Sequence, residues 1–509
     1  MPRKFRHRAR CILAGMILTG LSSIPVARAS ESRPSTWCNP LPIPDYPVGR
    51  GVRRVPNGSE TGGDTLWLSP KTEQYRELAD PSALWFEGKW YLYPSCDLAW
   101  VSEDEGLTWK HHPLNVRDVG YAPTVVHHQG RFLLLASDSD LYASPSPLGP
   151  FEKLGPIALP KESGAPGLGD PMLFADDDGR LFLYWGCSPR AGIWVMPLSS
   201  DDPRQPAGPA TRAIPFDPVN QPWECVGNGN QNPNMAWIEG SWMVKVGRRY
   251  YLTYSAAGTE NRTYAMGCYL ADNPLGPFRA QKHNPILRTP AGLVTGTGHG
   301  CIVAGPRNSL WAFYTIRAGI AHGFERRIGM DQARLDAAGE LYVPEATSVP
   351  QRLPDAEGAA ESAGWLPLND GTRTVGSTDA PNLVGRYAAD NSLTTWWQPA
   401  AGDPHPVLTT QLLALSTVQA VRIAWRDVGL DLTKGIAPGP FRYRVEAETS
   451  PDHWTTILDR SDSPDDLLID YRETPPTNAT RVRLVILGAP TGITPGVADF
   501  TVFGKVEEK

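Results

Sequence analysis

Three acidic residues hold similar positions in the sequence, each just ahead of a short apolar segment. Asp80 and Asp170 are both followed by proline, in LADPSALWFEG and GDPMLFADDDG, and Glu239 lies in AWIEGSWMVKVG. Proline after an aspartate fixes a turn and keeps the local backbone out of a sheet, although an Asp-Pro pair by itself is common in turns. Two carboxyl groups in one pocket, one ionised and one protonated, are what glycosidic hydrolysis needs. The pattern indicates this chemistry if the fold brings the three carboxyl groups together.

The segments that follow these acids repeat one phrase: a short strand, a turn with Gly or Asn, and a strand rich in aromatic residues. The copies are ALWFEGKWYLYPS (83–95), TVVHHQGRFLLLAS (124–137), MLFADDDGRLFLYWG (172–186), MVKVGRRYYLTYS (243–255) and CIVAGPRNSLWAFYT (301–315). A second phrase, PLGPF, recurs between them. Repeats of this length hold about four strands each, as in a β-propeller blade. We predict an all-β chain with a five-bladed β-propeller over residues 70–352; a β-sandwich is the alternative.

A propeller would explain how distant acids meet, because the innermost strands of its blades converge on one axis. The stretch from Ser102 to Trp109 also fits the S-x-D-x-G-x-T-W turn of sialidase-type propellers, and we interpret it as a turn at the outer edge of a blade. It favours the fold and says nothing about sialidase chemistry.

Composition and the N-terminus limit the function classes. The chain has 509 residues, 41% of them apolar and 20% charged, with a formal charge of −6 and no basic run beyond the N-terminus, so we expect no nucleic-acid partner. Residues 1–29 combine a basic start, an apolar stretch and Ala-Arg-Ala, which predicts an export signal and a secreted or periplasmic protein without a membrane span. Six cysteines remain after residue 29; in an oxidising compartment they could form up to three disulfides.

After residue 352 the sequence pattern changes. Residues 30–69 are a lead-in to the propeller, and residues 353–369 are rich in Ala, Gly and acidic residues, which is typical of a linker. Residues 370–509 contain a different set of strands and predict a small separate β-sandwich. Because the three acids all precede residue 240, we expect this second domain to be dispensable for cleavage of small substrates.

The first part of the chain resembles glycoside hydrolase family 43, whose catalytic unit is a five-bladed propeller. The resemblance rests on Asp80, Asp170 and Glu239 in the segments quoted above, on Ala122-Pro123, and on His299 in TGTGHGCIV. It implies that Asp80 is the general base, that Glu239 is the general acid, and that Asp170 orients this acid and tunes its pKa. The residue matching His299 reaches the propeller axis in that family, often beside a bound calcium ion.

Two departures affect the sugar pocket. Tyr121 replaces the tryptophan of the family's Trp-Ala-Pro, and three arginines after His299 (Arg317, Arg326 and Arg327) compete for the family's arginine role. Our expected substrate-binding residues are His299, Tyr121, Trp85 and Arg317. For His299 a metal contact through water is a further expectation, since calcium prefers oxygen ligands.

The C-terminal part resembles a discoidin-like module (coagulation factor 5/8 type C), of the galactose-binding, jelly-roll type, which is also used as a carbohydrate-binding module. The stretches are YAADNSLTTWWQP (387–399), VEAETSPDHWTTIL (445–458), TRVRLVIL (480–487) and FTVFG (500–504). The resemblance implies a structural calcium at Asp390. At least one of Trp396 and Trp397 is expected in the core.

Together these observations predict a secreted, inverting exo-glycosidase that removes terminal arabinofuranosyl, xylosyl or galactofuranosyl groups. The expected partner is an oligosaccharide or polysaccharide, and we expect a monomer. The chemistry requires no cofactor, and calcium is considered only in a structural role. The alternatives are a propeller lectin without activity and a sialidase-like hydrolase; the latter needs an arginine triad and a nucleophilic tyrosine, which the sequence does not present.

Overall fold

The computed structural model describes residues 34–44, 53–54, 60–61, 75–116, 119–160, 164–320, 322–355 and 359–507. The export signal predicted at residues 1–29 lies outside them. Within the described residues no helix is long and apolar enough to cross a membrane. The helices described are four short 3₁₀ turns: Pro222–Glu224, Pro306–Asn308, Gly385–Ala389 and Leu432–Lys434. The remaining regular structure is β, as predicted.

Five antiparallel sheets of four strands follow one another along the chain, and we number them as blades 1 to 5. Blade 1 consists of Ser82–Phe86, Lys89–Tyr93, Leu98–Ser102 and Lys110–Pro113. Blade 2 consists of Thr124–His128, Arg131–Leu135, Leu141–Ser144 and Glu152–Gly155. Blade 3 consists of Met172–Ala175, Leu181–Trp185, Ile193–Leu198 and Thr211–Ile214. Blade 4 consists of Glu239–Val246, Arg249–Ala256, Ala265–Ala271 and Arg279–Ala280, and blade 5 of Cys301–Ala304, Leu310–Arg317, Arg326–Leu335 and Leu341–Tyr342.

The innermost strands of the blades contact each other in a closed circle, from blade 1 through blade 5 and back to blade 1. Each repeated phrase forms the two inner strands of one blade, so the predicted five-bladed propeller is confirmed. Tight turns of two residues at positive φ, Glu87-Gly88 and Gln129-Gly130, join the inner strands of blades 1 and 2. Such turns match the twist of a hairpin. Because the circle is closed, the first residues of all five inner strands surround one axis.

The turn predicted at the outer edge of a blade is present in blade 1. Asp104 receives hydrogen bonds from Ser102 Oγ (2.8 Å) and from the backbone and hydroxyl of Thr108, which closes the turn between the third and fourth strands of blade 1. Many tryptophans belong to the core: Trp90, Trp185 and Trp311 are fully buried on second strands. Aromatic burial of this size stabilises the blades against each other.

The C-terminal domain is built from one hydrogen-bonded set of seven strands. They are Leu366–Pro367, Thr374–Gly376, Val407–Val428, Arg442–Ser450, His453–Asp459, Ile469–Gly488 and Thr494–Val506. The long central strands change register, for example between Gln411 and Ser416. Such bulges bend strands and increase their twist. The domain is all-β, as expected, and the sandwich arrangement stays a prediction.

The segment expected as a linker carries strands. Glu361–Ser362 pairs with Gln351–Arg352, which in turn pairs with Thr36–Trp37, and Leu366–Pro367 joins the C-terminal sheet. Arg53–Arg54 and Glu60–Thr61 form a separate two-stranded ladder. This segment is therefore held at one end by the small sheet that contains residues 36–37 and at the other end by the C-terminal sheet.

Candidate active site

Each blade carries a residue with left-handed backbone at the start of its innermost strand. They are Asp80 (φ 51°), Ala122 (φ 50°), Asp170 (φ 47°), Gly240 (φ 58°) and His299 (φ 36°). Residues other than glycine rarely adopt this conformation, and where they do the surrounding structure must hold it. The repeated turn directs the side chains of Asp80, Asp170 and His299 to the axis, whereas in blade 4 Glu239 precedes the left-handed residue.

A ring of hydroxyl groups holds these turns from one blade to the next. Each hydroxyl lies at or just past the end of a second strand and accepts a hydrogen bond from the left-handed residue of the following blade. The pairs are Ser95 with the N–H of Ala122 (2.9 Å), Ser137 with Asp170 (2.9 Å), Ser255 with His299 (2.7 Å) and Thr315 with Asp80 (3.2 Å). The fifth position is Cys187 of blade 3, whose thiol lies 3.3 Å from Glu239 Oε2.

Asp80 is held as an ionised carboxylate. It accepts hydrogen bonds from Ser95 Oγ (2.8 Å) and Arg326 Nη1 (2.6 Å), and His299 Nδ1 lies 3.2 Å from its Oδ1. Burial alone would raise the pKa of Asp80, but the charges of Arg326 and His299 and the serine hydrogen bond outweigh it and hold the pKa below its usual value. An ionised carboxylate of this kind can accept a proton from water.

Arg326 is shared between two carboxylates. Besides Asp80 it contacts Glu77, with Nε 2.9 Å from Oε1, and Tyr121 donates its hydroxyl proton to the other oxygen of Glu77 at 3.3 Å. Asp80, Glu77 and Arg326 are all nearly inaccessible to solvent. A guanidinium between two buried carboxylates fixes the orientation of both.

Glu239 has the opposite environment. Its Oε1 accepts a hydrogen bond from Tyr264 (2.5 Å) and its Oε2 one from the thiol of Cys187. Burial raises the pKa of Glu239 to about 7, against the lowering effect of these two donors and with a smaller contribution from the charge of Asp80. Glu239 can therefore hold a proton near neutrality and release it to a leaving group.

Asp170 lies between the other groups. It accepts weak hydrogen bonds from Ser137 Oγ (3.3 Å) and the N–H of Gly240 (3.4 Å), and His299 Nδ1 is 3.7 Å away. Burial is the main cause that raises the pKa of Asp170 to about 7; the charge of His299 opposes it, and the charges of Glu239 and Asp80 add to it. The sequence-based expectation made Asp170 the cause of the raised pKa of Glu239; in the structure burial is the main cause for both carboxyls.

Asp80, Asp170 and His299 line one pocket, with an empty volume of about 260 Å³ that includes space open to solvent. Glu239 directly precedes Gly240, which lines the same pocket. The other lining residues of the pocket are Pro81, Ser82, Ala122, Pro123, Pro171, Ser241, Trp242 and Gly300. The hydroxyls of Ser82 and Ser241 are buried and have no hydrogen-bond partner among the described residues. The pocket therefore combines carboxyl and hydroxyl groups with apolar walls from Pro81, Ala122, Pro123, Pro171 and Trp242.

The other predicted site residues lie elsewhere. Trp85 is at the far end of the first strand of blade 1 and packs on Trp90, with ring centroids 4.9 Å apart. Arg317 donates to the carbonyl oxygen of Glu260, at 3.0 Å, whereas Arg326 is the arginine that contacts Asp80. Tyr121 is linked to the site through its hydrogen bond to Glu77. Neither Trp85 nor Arg317 lines the pocket around Asp80.

Metal-ligating groups cluster at two places in the described residues: Asp170, Cys187 and Glu239 at the candidate site, and a set away from it with exposed His283 and half-buried Asp336 and Glu340. Asp390 belongs to neither; its carboxylate accepts a hydrogen bond from Thr395. The six cysteines expected after the signal all lie in the described part of the chain, and they form no disulfide there; they include Cys187 beside Glu239.

Sequence reasoning missed Ser95, Ser137, Ser255, Thr315, Cys187 and Tyr264. A signal for the first five was present, because each repeated phrase ends in, or is followed at once by, Ser, Thr or Cys. Nothing comparable marks Tyr264 or Glu77, which meet their partners only through the closed circle of blades.

A five-bladed propeller with three buried carboxyls at its axis defines a class of glycosidases. A family model described as glycosyl hydrolases family 43 matches residues 67–340, more than half of the chain. The chain therefore belongs to glycosyl hydrolase family 43, and it is a glycosidase.

Curated relatives agree. The chain is similar to a beta-D-galactofuranosidase (xynD) of Aspergillus niger, with 25% identity over 303 residues that cover 52% of this chain and 81% of the relative. It is also similar to a beta-xylosidase of Xylanibacter ruminicola, with 27% identity over 269 residues, 40% of this chain and 78% of the relative. A solved structure described as a thermostable family-43 glycoside hydrolase matches at 23% identity with a TM-score of 0.47, over 55% of this chain and 96% of that one.

Proposed function

We propose that the protein is a secreted, inverting exo-glycosidase. The observation that carries the proposal is the contrast between two buried carboxyls near the propeller axis: Asp80 is held ionised by Arg326, and the pKa of Glu239 is raised to about 7 by burial. An inverting hydrolase needs such a base and such an acid on opposite sides of the sugar.

In the proposed mechanism Asp80 takes a proton from a water molecule as that water attacks the anomeric carbon. Glu239 gives its proton to the departing glycosidic oxygen in the same step. Arg326 and Ser95 fix the carboxylate of Asp80, and Tyr264 fixes that of Glu239. Asp170 lies between these two groups and places a further carboxyl near the bound sugar. It also orients the loop of Gly240, because it accepts a hydrogen bond from the N–H of that residue.

The proposed substrates are terminal arabinofuranosyl, xylosyl or galactofuranosyl groups of an oligosaccharide or polysaccharide. Support comes from relatives named as a galactofuranosidase, a xylosidase and a xylosidase/arabinosidase, each matched over about four fifths of its length. The choice among these sugars depends on the side chains that rim the pocket. Secretion is proposed from the basic, apolar and Ala-Arg-Ala pattern of residues 1–29.

The test is a panel of nitrophenyl glycosides followed by NMR of the first-formed product. We expect cleavage of at least one of the three sugars, with the product in the anomeric configuration opposite to that of the substrate. Retention of configuration would contradict the assigned mechanism, and inactivity on the whole panel would contradict the substrate class.

The role of Asp80 is tested with Asp80→Asn. An amide cannot take the proton of water, so hydrolysis should be abolished, and added azide should partly restore turnover as a substitute nucleophile. Asp178→Asn, in an exposed hairpin of blade 3, is the matched control and should retain activity. A near-normal rate in Asp80→Asn would overturn the assignment.

We also propose a structural calcium ion near His299, held mainly by water. The residues fit such an ion in part: the pocket offers the buried, unpartnered hydroxyls of Ser82 and Ser241 beside the imidazole. A chelator should lower the melting temperature if the ion is present. If His299→Ala loses activity while a chelator has no effect on the wild type, the ion is ruled out and the role of the imidazole is its contact with Asp80.

The C-terminal domain is proposed to be discoidin-like. Its seven-stranded, bulged sheet is compatible with that fold. Trp397 is fully buried and donates to the carboxylate of Asp379, and Trp396 packs under the guanidinium of Arg426. Both side chains are therefore engaged inside the protein rather than offered to a sugar.

A further inference from the structure

The C-terminal domain contacts the propeller beside the general base. Arg426 donates to Oε1 of Glu325 at 2.7 Å, and the next residue, Asp427, lies 2.9 Å from Nε of Arg76. Asp466 adds a second ion pair to Arg76 at 2.7 Å. Arg76 is 1% exposed, Glu325 3% and Asp427 8%. These are buried ion pairs, and removal of one partner from such a pair leaves an uncompensated charge.

The two propeller residues held in this way are sequence neighbours of the pair that holds the base. Arg76 precedes Glu77, and Glu325 precedes Arg326. The guanidinium of Arg326 contacts both Glu77 and Asp80. The C-terminal domain thus anchors the backbone segment that carries Arg326, a partner of Asp80, and the segment that carries Glu77, the second carboxylate on Arg326.

Glu325 also closes the connection between the second and third strands of blade 5. Its Oε2 accepts a hydrogen bond from the N–H of Ile320, and its carbonyl oxygen accepts one from Ala318. The ring of His322 in this connection stacks on Tyr75, with centroids 5.1 Å apart. The two anchored segments therefore pack against each other at the end of the propeller where the base lies.

We propose that Arg426 and Asp427 of the C-terminal domain are positioning residues for the general base. The proposal rests on the proposed role of Asp80. Misplacement of a catalytic group by about 1 Å can cost about a hundredfold in rate. The inference reverses the sequence-based expectation that the second domain is dispensable for small substrates, which assumed that all contributions to the site come from residues before 240.

The test uses Arg426→Gln and Asp427→Asn in the full-length protein with an aryl glycoside. We expect kcat to fall about tenfold or more, with a smaller change in KM, because the groups that bind the sugar are untouched. Arg426→Lys keeps the positive charge facing Glu325 and should recover most of the loss.

The pH profile separates positioning from simple destabilisation. The base must be ionised, so activity is lost as pH falls through the pKa of Asp80. The ionisable groups that face Asp80 are Arg326 and His299 from blade 5, Asp170 from blade 3, Glu239 and Tyr264 from blade 4, with Glu77 on the far side of Arg326. Looser contact with Arg326 raises the pKa of Asp80, so the acidic limb should move to higher pH in both variants.

Arg444→Gln is the control, because it breaks an exposed ion pair with Asp459 in the same domain and should leave kcat and the profile unchanged. Folded Arg426→Gln and Asp427→Asn variants with wild-type kcat and an unmoved acidic limb would overturn the inference, even if they melt earlier. Should Arg426→Gln fail to fold, Asp427→Asn decides by the same two readouts. A wild type that cleaves none of the panel would instead contradict the proposed function.

Discussion

At the scale of single residues, the site depends on two carboxyls that share burial and differ in their partners. Both Asp80 and Glu239 are almost fully removed from solvent, which by itself favours the neutral form. Asp80 meets a guanidinium, whereas the side-chain donors to Glu239 in the described part of the chain are a phenol and a thiol. The positive charge of Arg326 makes the difference, so base and acid are separated by their neighbours and not by depth.

Glu239→Gln should therefore depend on the leaving group. The amide cannot protonate the departing oxygen, so substrates with poor leaving groups should lose about 10²-fold or more in kcat, and activated aryl glycosides much less. In the wild type, activity should fall as pH rises through about 7, where Glu239 loses its proton, and this basic limb should vanish in the variant. Equal losses for good and poor leaving groups would remove Glu239 from the acid role; pH–rate profiles with two aryl substrates provide the measurement.

The thiol of Cys187 tunes the pKa of the same acid, Glu239. Its thiol donates to Glu239 and so stabilises the ionised carboxylate. Cys187→Ala should raise the pKa of Glu239 and move the basic limb to higher pH, whereas Cys187→Ser, which keeps a donor, should leave the limb in place or lower it. Cys268→Ala, a buried cysteine of blade 4 outside the pocket, is the control. An unmoved limb in Cys187→Ala would show that the thiol has no part in tuning the acid.

At the scale of elements, the blades act as equivalent supports whose strained turns meet at the axis. Left-handed backbone at Asp80, Asp170 and His299 costs about 1 to 3 kcal/mol per residue and persists only where neighbouring contacts hold it. Here the hydroxyl ring supplies those contacts between adjacent blades. Strain and ring together set the directions of the catalytic side chains before any substrate arrives.

Two glycines of blade 4 test this arrangement. Gly240 and Gly247 both have positive φ, at 58° and 62°, but a Cβ at Gly240 would lie 2.9 Å from the ring of His299, whereas one at Gly247 meets nothing within 4 Å. Each alanine variant should lose about 1 kcal/mol of stability from its backbone conformation. Only Gly240→Ala should also lose most of its kcat, because the imidazole must move. Equal kcat in the two variants, measured well below their melting temperatures, would deny His299 a positioned role.

At the scale of the whole molecule, the sequence was informative where features repeat along the chain. The strand phrases predicted the blades, and the acids at their heads predicted the pocket, because each blade uses one local pattern. Contacts that form only when the five blades close into a circle have no local signal in the sequence. Tyr264 and Glu77 meet their partners only because strands far away in sequence come together. Trp85 was predicted at the site from its residue type alone, and in the structure it packs on Trp90.

The C-terminal domain shows the same limit. Residues 353–369 have the composition of a linker, yet Glu361–Ser362 and Leu366–Pro367 are paired strands. Composition does not register pairing to strands that lie elsewhere in the chain. The buried contacts of Arg426 and Asp427 with the propeller were equally invisible, since charged residues are ordinarily expected at the surface.

Buried carboxyls are distributed through the propeller beyond the pocket. Burial raises the pKa values of Asp170, Glu224, Glu239 and Asp331 to about 7 each, from ordinary values of 3.8 for aspartate and 4.5 for glutamate. Between these limits the folded protein binds more protons than the unfolded chain. Stability is then fully present below about pH 4 for these groups and declines as pH rises to about 7. Carboxyls with lowered pKa values, such as Asp80, change the stability at pH values below this range.

The melting temperature should accordingly fall between about pH 5 and pH 7.5, and Glu224→Gln should make this decline shallower. Glu224 lies outside the pocket, where it accepts hydrogen bonds from the hydroxyl of Tyr254 (2.5 Å) and the N–H of Asp217 (2.9 Å), so its replacement removes one titrating group without touching the catalytic acids. Glu361→Gln, at an exposed position, should keep the wild-type slope. Calorimetry at several pH values measures both slopes. A melting temperature that rises over this interval, or a slope unchanged in Glu224→Gln, would mean that Glu224 is ionised in the folded protein and that another group balances its charge.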